Sequence, residues 1–467
     1  MSRKYLTSVS SKSDTVAMNA ILERKKMTLY DETLTLLQEL IRNACVNDLT
    51  PDSGQEIRNA ESLERFFEGV PNVEITKLEP RPGRTSIIVK VPGSDPNAEP
   101  LTLLGHTDVV PVDLPKWTKD PFGAEISDGQ IWGRGSVDML FITATQAAVT
   151  RQVAREGGLR GTLTFVGVAD EEARGGLGAK WLSEEHPDLF SWKNCLSESG
   201  GSHLPVRDGS DAVVVNVGEK GAAQRRIHVN GDAGHGSIPF DRDSAIVKIG
   251  EVARRIAAAD LKVAKDDIWQ GFVQAHRFDP ETEKALFDGT SPEAYAEFGD
   301  LARFAHAVSH LTIAQTVVRA GQAINVLPSH AYLELDIRTL PGQTNDYVDD
   351  TLRAALGDLA DEVEIEHLIS EEATVSPTDS RLYNTLEKVL GDFFPDAPVV
   401  PIISSGGSDL RFGRRLGGVG YGFAVHARER TLAEAMGQLH SHDEALYLED
   451  LELTVRGYDS VVREFLG

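Results

Sequence analysis

Apolar positions along this chain fall into two alternating rhythms. In "ETLTLLQELIRNACV" (32–46) they recur at helical spacing and predict an amphipathic helix, and "PDSGQE" then opens a second one, "IRNAESLERFFEGV". The runs "VEITKLE", "TSIIVKV" and "PLTLLGHTDVV" read as strands. A helical stretch, "MLFITATQAAVTRQVA", separates them from a further strand, "GTLTFVGVA". Strands alternating with helices imply an α/β sheet, at least partly parallel, with helices on its faces.

From about residue 219 the pattern changes. "AAQRRIHVNG" predicts a strand, "DSAIVKIGEVARRIAAA" a helix, and "LTIAQTVVRAG" and "HAYLELDIRTL" two strands. "NDYVDDTLRAALGDL" follows as a helix and "EVEIEHLIS" as a strand, which completes the β-α-β-β-α-β order of a ferredoxin-like unit. Residues 260–310 form an acidic, aromatic-containing elaboration with no assignable element pattern. Near residue 370 the α/β rhythm resumes with the helix "SRLYNTLEKVLGDFF" and the strand "PVVPIIS". The simplest organisation is a larger domain in two segments, 1–218 and 371–467, with a smaller domain, 219–370, inserted between them.

Composition narrows the field of functions. A chain of 467 residues exceeds one ordinary core, and 41% apolar with 25% charged residues is a globular composition. The net charge of −25 repels phosphate backbones and anionic membranes, so neither nucleic acid nor a membrane is expected as a partner. No run approaches the ~20 apolar residues of a membrane span. The two cysteines, Cys45 and Cys195, have no metal-like spacing and fit a reducing compartment. The polar start, "MSRKYLTSVSSKSDTVAMNA", lacks the apolar core of a signal peptide, and a cytoplasmic protein is expected.

Chemistry concentrates at the predicted strand ends. "GVADEEARGG" (167–176) sets Asp170, Glu171 and Glu172 side by side. Such a triplet either decorates a solvated helix start or faces a cation, because burying an unpaired charge is costly. His106 and Asp108 follow an apolar strand and project to the same side, as in an ordinary turn or a ligand with its supporting carboxylate. Asp138 sits after a Gly-rich turn and before a helix, either as a cap or as a bridging carboxylate. Glu198 in "CLSESGG" ends a strand, and "QLHSHDEAL" offers His440 and His442 beside Asp443 and Glu444. Taken together, two His and three carboxylates suit two divalent cations sharing one carboxylate. Zinc fits best, with cobalt or manganese as replacements.

The segments "LLGHTDVVP", "IWGRGSVDM", "ADEEARGG", "SESGG", "GHGSIP", "INVLPS", "DIRTLPG" and "LHSHDEA" resemble, in order, the motifs of the dinuclear zinc amidohydrolases and peptidases. That family includes aminoacylase, carboxypeptidase G, bacterial dipeptidases and succinyl-diaminopimelate desuccinylase, and the resemblance spans roughly residues 30–465. It implies an α/β fold: a mixed-sheet zinc-peptidase catalytic domain carrying an inserted ferredoxin-like α+β lid and dimerisation domain. By resemblance Asp138 bridges two metals, His106 and Glu198 complete one site, and Glu172 and His440 the other. Asp108 then orients His106, Glu171 is the general base and Asp170 supports the turn. His440, four residues before Glu444, fits the family spacing, which leaves His442 outside the site. His235 resembles the oxyanion-stabilising histidine that in dimeric members reaches the partner subunit's site. Asn325 and Arg338 resemble substrate-holding residues, Arg338 through a two-point grip on a carboxylate, and Gly406 and Gly407 supply backbone near the substrate. Leu140 departs from the Lys or Asn of many relatives, at a position that is not a ligand.

The expected activity is metal-dependent hydrolysis of an amide or peptide bond next to a free carboxylate, in N-acyl amino acids or dipeptides, by a homodimer. A bridging water activated by the metals gives its proton to Glu171, and His235 helps to stabilise the oxyanion. A plain two-zinc aminopeptidase would lack the inserted domain, so "GHGSIP" and "DIRTLPG" count against it. A non-catalytic metal-binding descendant would have lost the base or a ligand, and neither loss is visible.

Overall fold

Strand runs without a polar alternation are the ones buried on both faces. In Leu101–His106 and Leu163–Val168 all six positions are buried, and these two strands form the middle of a ten-stranded mixed sheet. The computed structural model describes residues 27–50 and 52–467, so the polar stretch 1–20 read for targeting lies outside them. Across the sheet the order is Glu74–Arg81, Arg84–Val91, Leu163–Val168, Leu101–His106, Asn194–Ser197, Val419–Gly422, Asp211–Glu219 and Thr374–Val375. Val399–Ser404 and His203–Pro205 also pair with Asp211–Glu219. Leu163–Val168, Leu101–His106, Asn194–Ser197 and Val419–Gly422 run parallel to one another, so their C-terminal ends share one edge.

The sheet is covered on both sides, which α/β architecture requires. Leu101, Leu103, Leu163 and Phe165 point to one core, closed by the helices Leu29–Arg42, Leu140–Glu156, Arg381–Phe393 and Leu448–Leu466. Leu104, Val166 and Val168 point to the other, closed by Ala179–Glu185 and Leu410–Arg415. Leu140–Glu156 lies between the sheet and two outer helices, so most of its residues are buried whichever way they face.

The second sheet realises the β-α-β-β-α-β order expected from the sequence. Its strands run Thr312–Ala320, His330–Thr339, Arg225–Asn230, Val363–His367, with the short Gly221–Ala222 also on His330–Thr339, all antiparallel, and the helices Ala245–Ala257 and Asn345–Leu356 share its apolar core. Residues 260–310, unreadable from the sequence, are helical: Asp267–Ala275, Pro280–Asp288, a 3-10 stretch Pro292–Leu301, and Ala302–Ser309. A three-stranded sheet of Ala445–Tyr447, Gln130–Trp132 and Glu125–Ser127 brings the C-terminal segment beside the loop that carries Asp138.

Candidate metal centre

Delivery of the candidate ligands follows from the strand order. His106 ends one parallel strand, Glu171 and Glu172 lie just beyond its neighbour on one side, and Glu198 just beyond its neighbour on the other. This is the carboxyl edge of the strands, where open α/β sheets place their ligands. Asp138 arrives on the loop before Leu140–Glu156, and His440 on the loop after Leu432–Gln438.

At the centre stands Asp138, whose two oxygens face two imidazoles. Its Oδ1 is 3.2 Å from His106 Nε2 and its Oδ2 is 3.3 Å from His440 Nε2. Glu198 Oε2 lies 3.8 Å from His106 Nε2, and Glu172 Oε2 lies 3.3 Å from His440 Nε2. Each face of the Asp138 carboxylate is thus matched by one His and one Glu. Asp138 does not cap the helix that follows, whose N-terminus has no side-chain cap.

The electrostatics describe a cluster short of positive charge. Burial, then the negative charges of Glu198 and Asp409, hold the Glu171 carboxyl well above the usual carboxylate range. Glu198 is pushed up to about 7, mainly by burial. Burial also raises Glu172, against the hydrogen bond from His440. Burial alone would lower His106, but Asp108, Asp138 and Glu198 outweigh it and raise the imidazole. His440 is pushed up to about 10 by Asp138 and Glu172. Asp138 itself is held low, its two imidazole hydrogen bonds overcoming burial. Divalent cations would supply the positive charge that these buried carboxylates lack. The donor set fits such ions: two imidazoles and hard carboxylate oxygens. Glu172 Oε1 also fits, since it is buried and without a hydrogen-bond partner among the described residues.

Behind these side chains lies a polar layer in which the expected Asp108 and Asp170 are joined by Asn47, Arg134 and Glu444, whose roles the sequence did not disclose. The Asp108 carboxylate is 3.5 Å from His106 Nδ1, while its backbone carbonyl is the nearer partner at 3.0 Å. That carboxylate accepts the backbone N–H groups of Glu171 and Glu172 and the Asn47 amide. Asp170 supports the same turn in a left-handed conformation, its Oδ2 accepting the Leu177 N–H at 2.8 Å. Buried Glu444 accepts the N–H groups of Gly135, Val137 and Asp138 and pairs with Arg134 at 2.6 Å, fixing the loop that presents Asp138. The only hint of Glu444's role was its place beside His440. His442 and His440 are both exposed, and it is His440 that reaches Asp138 and Glu172.

A cleft of about 460 Å³ opens over these groups, with Asp138, Glu171, Glu172 and Glu198 in its lining. Gly406, Gly407 and Arg338 also line it. The Arg338 guanidinium, expected to be free for a substrate, holds Asp336 through Nε at 2.9 Å and Nη2 at 3.3 Å. Arg411, not singled out from the sequence, is buried beside Glu171, with Nη1 3.9 Å from Glu171 Oε1. His235 and Asn325 lie elsewhere. They belong to an exposed tip of the smaller sheet's unit, where Gly234–His235 pairs with Val326–Leu327 and His235 Nδ1 meets Ser237 Oγ at 2.8 Å.

A mixed sheet that brings imidazoles and carboxylates together at its carboxyl edge under a cleft defines a metal-dependent hydrolase. The model of peptidase family M20/M25/M40 matches residues 102–464. The chain belongs to that family and is a metal-dependent hydrolase of amide or peptide bonds. It is 28% identical to the probable carboxypeptidase S-like 2 of Dictyostelium discoideum over 81% of this chain and 74% of that protein. It is 27% identical to the N-fatty-acyl-amino acid synthase/hydrolase PM20D1 of Xenopus tropicalis over 94% of this chain and 89% of that one. Among solved structures, the M20 family metallo-carboxypeptidase Sso-CP2 of Sulfolobus solfataricus superimposes with a TM-score of 0.68 at 17% identity, covering 93% of this chain and 99% of that one. No helix among the described residues is long and apolar enough to cross a membrane.

Proposed function

We propose that the protein hydrolyses the amide of small N-acyl amino acids or dipeptides that carry a free carboxylate, with Glu171 as general base. The observation that carries this reading is the two-sided environment of Asp138, one His–Glu pair to each oxygen. His106 and Glu198 would hold one divalent cation and His440 and Glu172 a second, with Asp138 shared and zinc, cobalt or manganese the fitting ions. Bound there, the cations supply Lewis acidity and acidify a water. Glu171 is not needed as a ligand, so its carboxylate is free to take the water's proton and return it to the leaving amine. Gly406 and Gly407 offer backbone to the substrate, and the basic side chains around Arg338 and Arg411 favour an anionic end.

The segment 219–370 acts in this reading as an inserted lid and dimerisation domain between 1–218 and 371–467. Support comes from the exposed tip that bears His235 and Asn325, which also displays the exposed apolar side chains Ile238, Phe240, Ile324 and Val326. A two-fold homodimer would cover them and offer His235 to the partner's cleft. Two buried, unpaired cysteines agree with a cytoplasmic setting.

The test is hydrolysis of a panel of N-acyl amino acids and dipeptides, and of their C-terminally amidated forms, after reconstitution with zinc, cobalt or manganese. The free acids should be cleaved and the amidated forms poorly. A metal-loaded protein inert on every member overturns the reading.

A further inference from the structure

The helical segment 260–310 is inserted in the smaller unit by chain order, yet its apolar side chains pack elsewhere. Trp269, Phe272, Phe298 and Leu301 share a core with Leu204, Ala212 and Val214 and with Val400, Ile402 and Ile403, all in the large sheet or its edge. The neck of the insertion is pinched by a bridge between Val263 and His310. Its last helix, Ala302–Ser309, is pinned by buried Lys220, whose Nζ donates to the carbonyls of Ala307 at 2.6 Å and His310 at 2.8 Å. The insertion is therefore fixed to the half of the molecule that carries the metal ligands.

That placement builds an apolar wall into the cleft. Phe304 from the inserted helix joins Ile402 from the sheet and Leu432, Met436 and Leu439 from the segment that leads to His440. Arg411 lies near Glu171 instead, so the stretch of lining that leads to His440 is apolar while a buried guanidinium stands beside Glu171. A scissile carbonyl above Asp138 with its amine-side carboxylate toward the basic end must send its acyl group along this wall.

We propose that this wall is an acyl-group subsite, that substrates with an extended apolar acyl group are preferred, and that Phe304 and Met436 set the preference. The proposal rests on the amidohydrolase reading above. Each methylene withdrawn from water along such a surface is worth roughly a two- to fourfold gain in kcat/KM.

The experiment compares N-acetyl, N-hexanoyl and N-decanoyl derivatives of alanine, phenylalanine and glutamate on the zinc-loaded full chain. The expected result is kcat/KM rising with acyl length, and a decanoyl-to-acetyl ratio about tenfold lower in Met436→Gln. Met436→Leu, apolar and of similar volume, should keep the ratio. Cleavage of the acetyl compounds with a flat or falling length series overturns the subsite and leaves the amidohydrolase reading standing. A length series unchanged by Met436→Gln overturns the assignment of the wall. Failure on all members, with metal bound, overturns the amidohydrolase reading and the subsite with it.

Discussion

Asp108 holds Glu171 by the backbone: its Oδ1 accepts the Glu171 N–H at 3.2 Å, and its Oδ2 accepts the N–H of Glu172 at 3.1 Å. One buried carboxylate thereby fixes the positions of the proposed base and a proposed ligand that are neighbours in the chain. Asp108→Ala strands both N–H groups and the Asn47 amide, and each unsatisfied buried group costs about 1–3 kcal/mol. The variant should lose both metal affinity and turnover by roughly 10–100-fold, the usual cost of removing a ligand's support. Calorimetric titration with zinc beside kcat measures both; a variant with unchanged metal affinity would count against this role for Asp108.

Glu171 and Glu172 should separate chemistry from binding. Glu171→Gln retains metal and loses turnover by at least the roughly 10²–10⁴-fold that general acid–base catalysis supplies. Glu172→Gln weakens one of two metal sites, read as a drop in metal stoichiometry by elemental analysis. Equal loss of metal in both variants contradicts the assignment.

Glu444 organises the Asp138 loop without touching the cleft. Glu444→Gln keeps an acceptor for the loop N–H groups but leaves the buried Arg134 guanidinium without its partner. Breaking a buried pair in this way costs about 3–5 kcal/mol, so denaturant unfolding of the metal-free protein should show a loss of that order.

Arg338 and Asp336 form a contact with which a substrate carboxylate would compete if Arg338 anchors it as proposed. Arg338→Ala should lower kcat/KM on free acids by an amount on the order of 2–5 kcal/mol, with metals still bound and amidated substrates little affected. Asp336→Asn, by releasing the guanidinium, should lower KM for the same acids. Equal hydrolysis of acid and amidated forms by the wild type removes Arg338 from the carboxylate-anchoring role.

Periodicity disclosed Leu29–Arg42, Leu101–His106, Leu163–Val168 and Arg381–Phe393 and located the β-α-β-β-α-β order of the smaller sheet, but it passed over the almost wholly buried strand Asp211–Glu219. It did not reveal Leu448–Leu466 or the helices of 260–310. The latter carry aromatics that face a sheet distant in sequence, so no local pattern shows which surface receives them. The imidazoles and carboxylates gathered around Asp138 were legible because strand ends carried unusual His and carboxylate clusters. Glu444, Asn47 and Arg411 were not, because a buried polar residue that supports another by hydrogen bonds looks, in one dimension, like any surface residue. The fate of the Arg338 guanidinium was hidden for the same reason, since Asp336 on the same face of its strand is two residues away.

No two neighbouring turns of chain can assemble the Asp138 site by themselves. Its contributors come from the first strand of the parallel group, from loops on either side of it and from the far C-terminal segment. An unfolded chain therefore has almost no affinity for the cations the native state would hold, and binding acts as a thermodynamic ratchet on the whole large sheet. Above saturation, every tenfold rise in free metal should add about 1.4 kcal/mol per occupied site to the unfolding free energy. The durability of this enzyme in a cell would then be set by the local metal supply as much as by its apolar core.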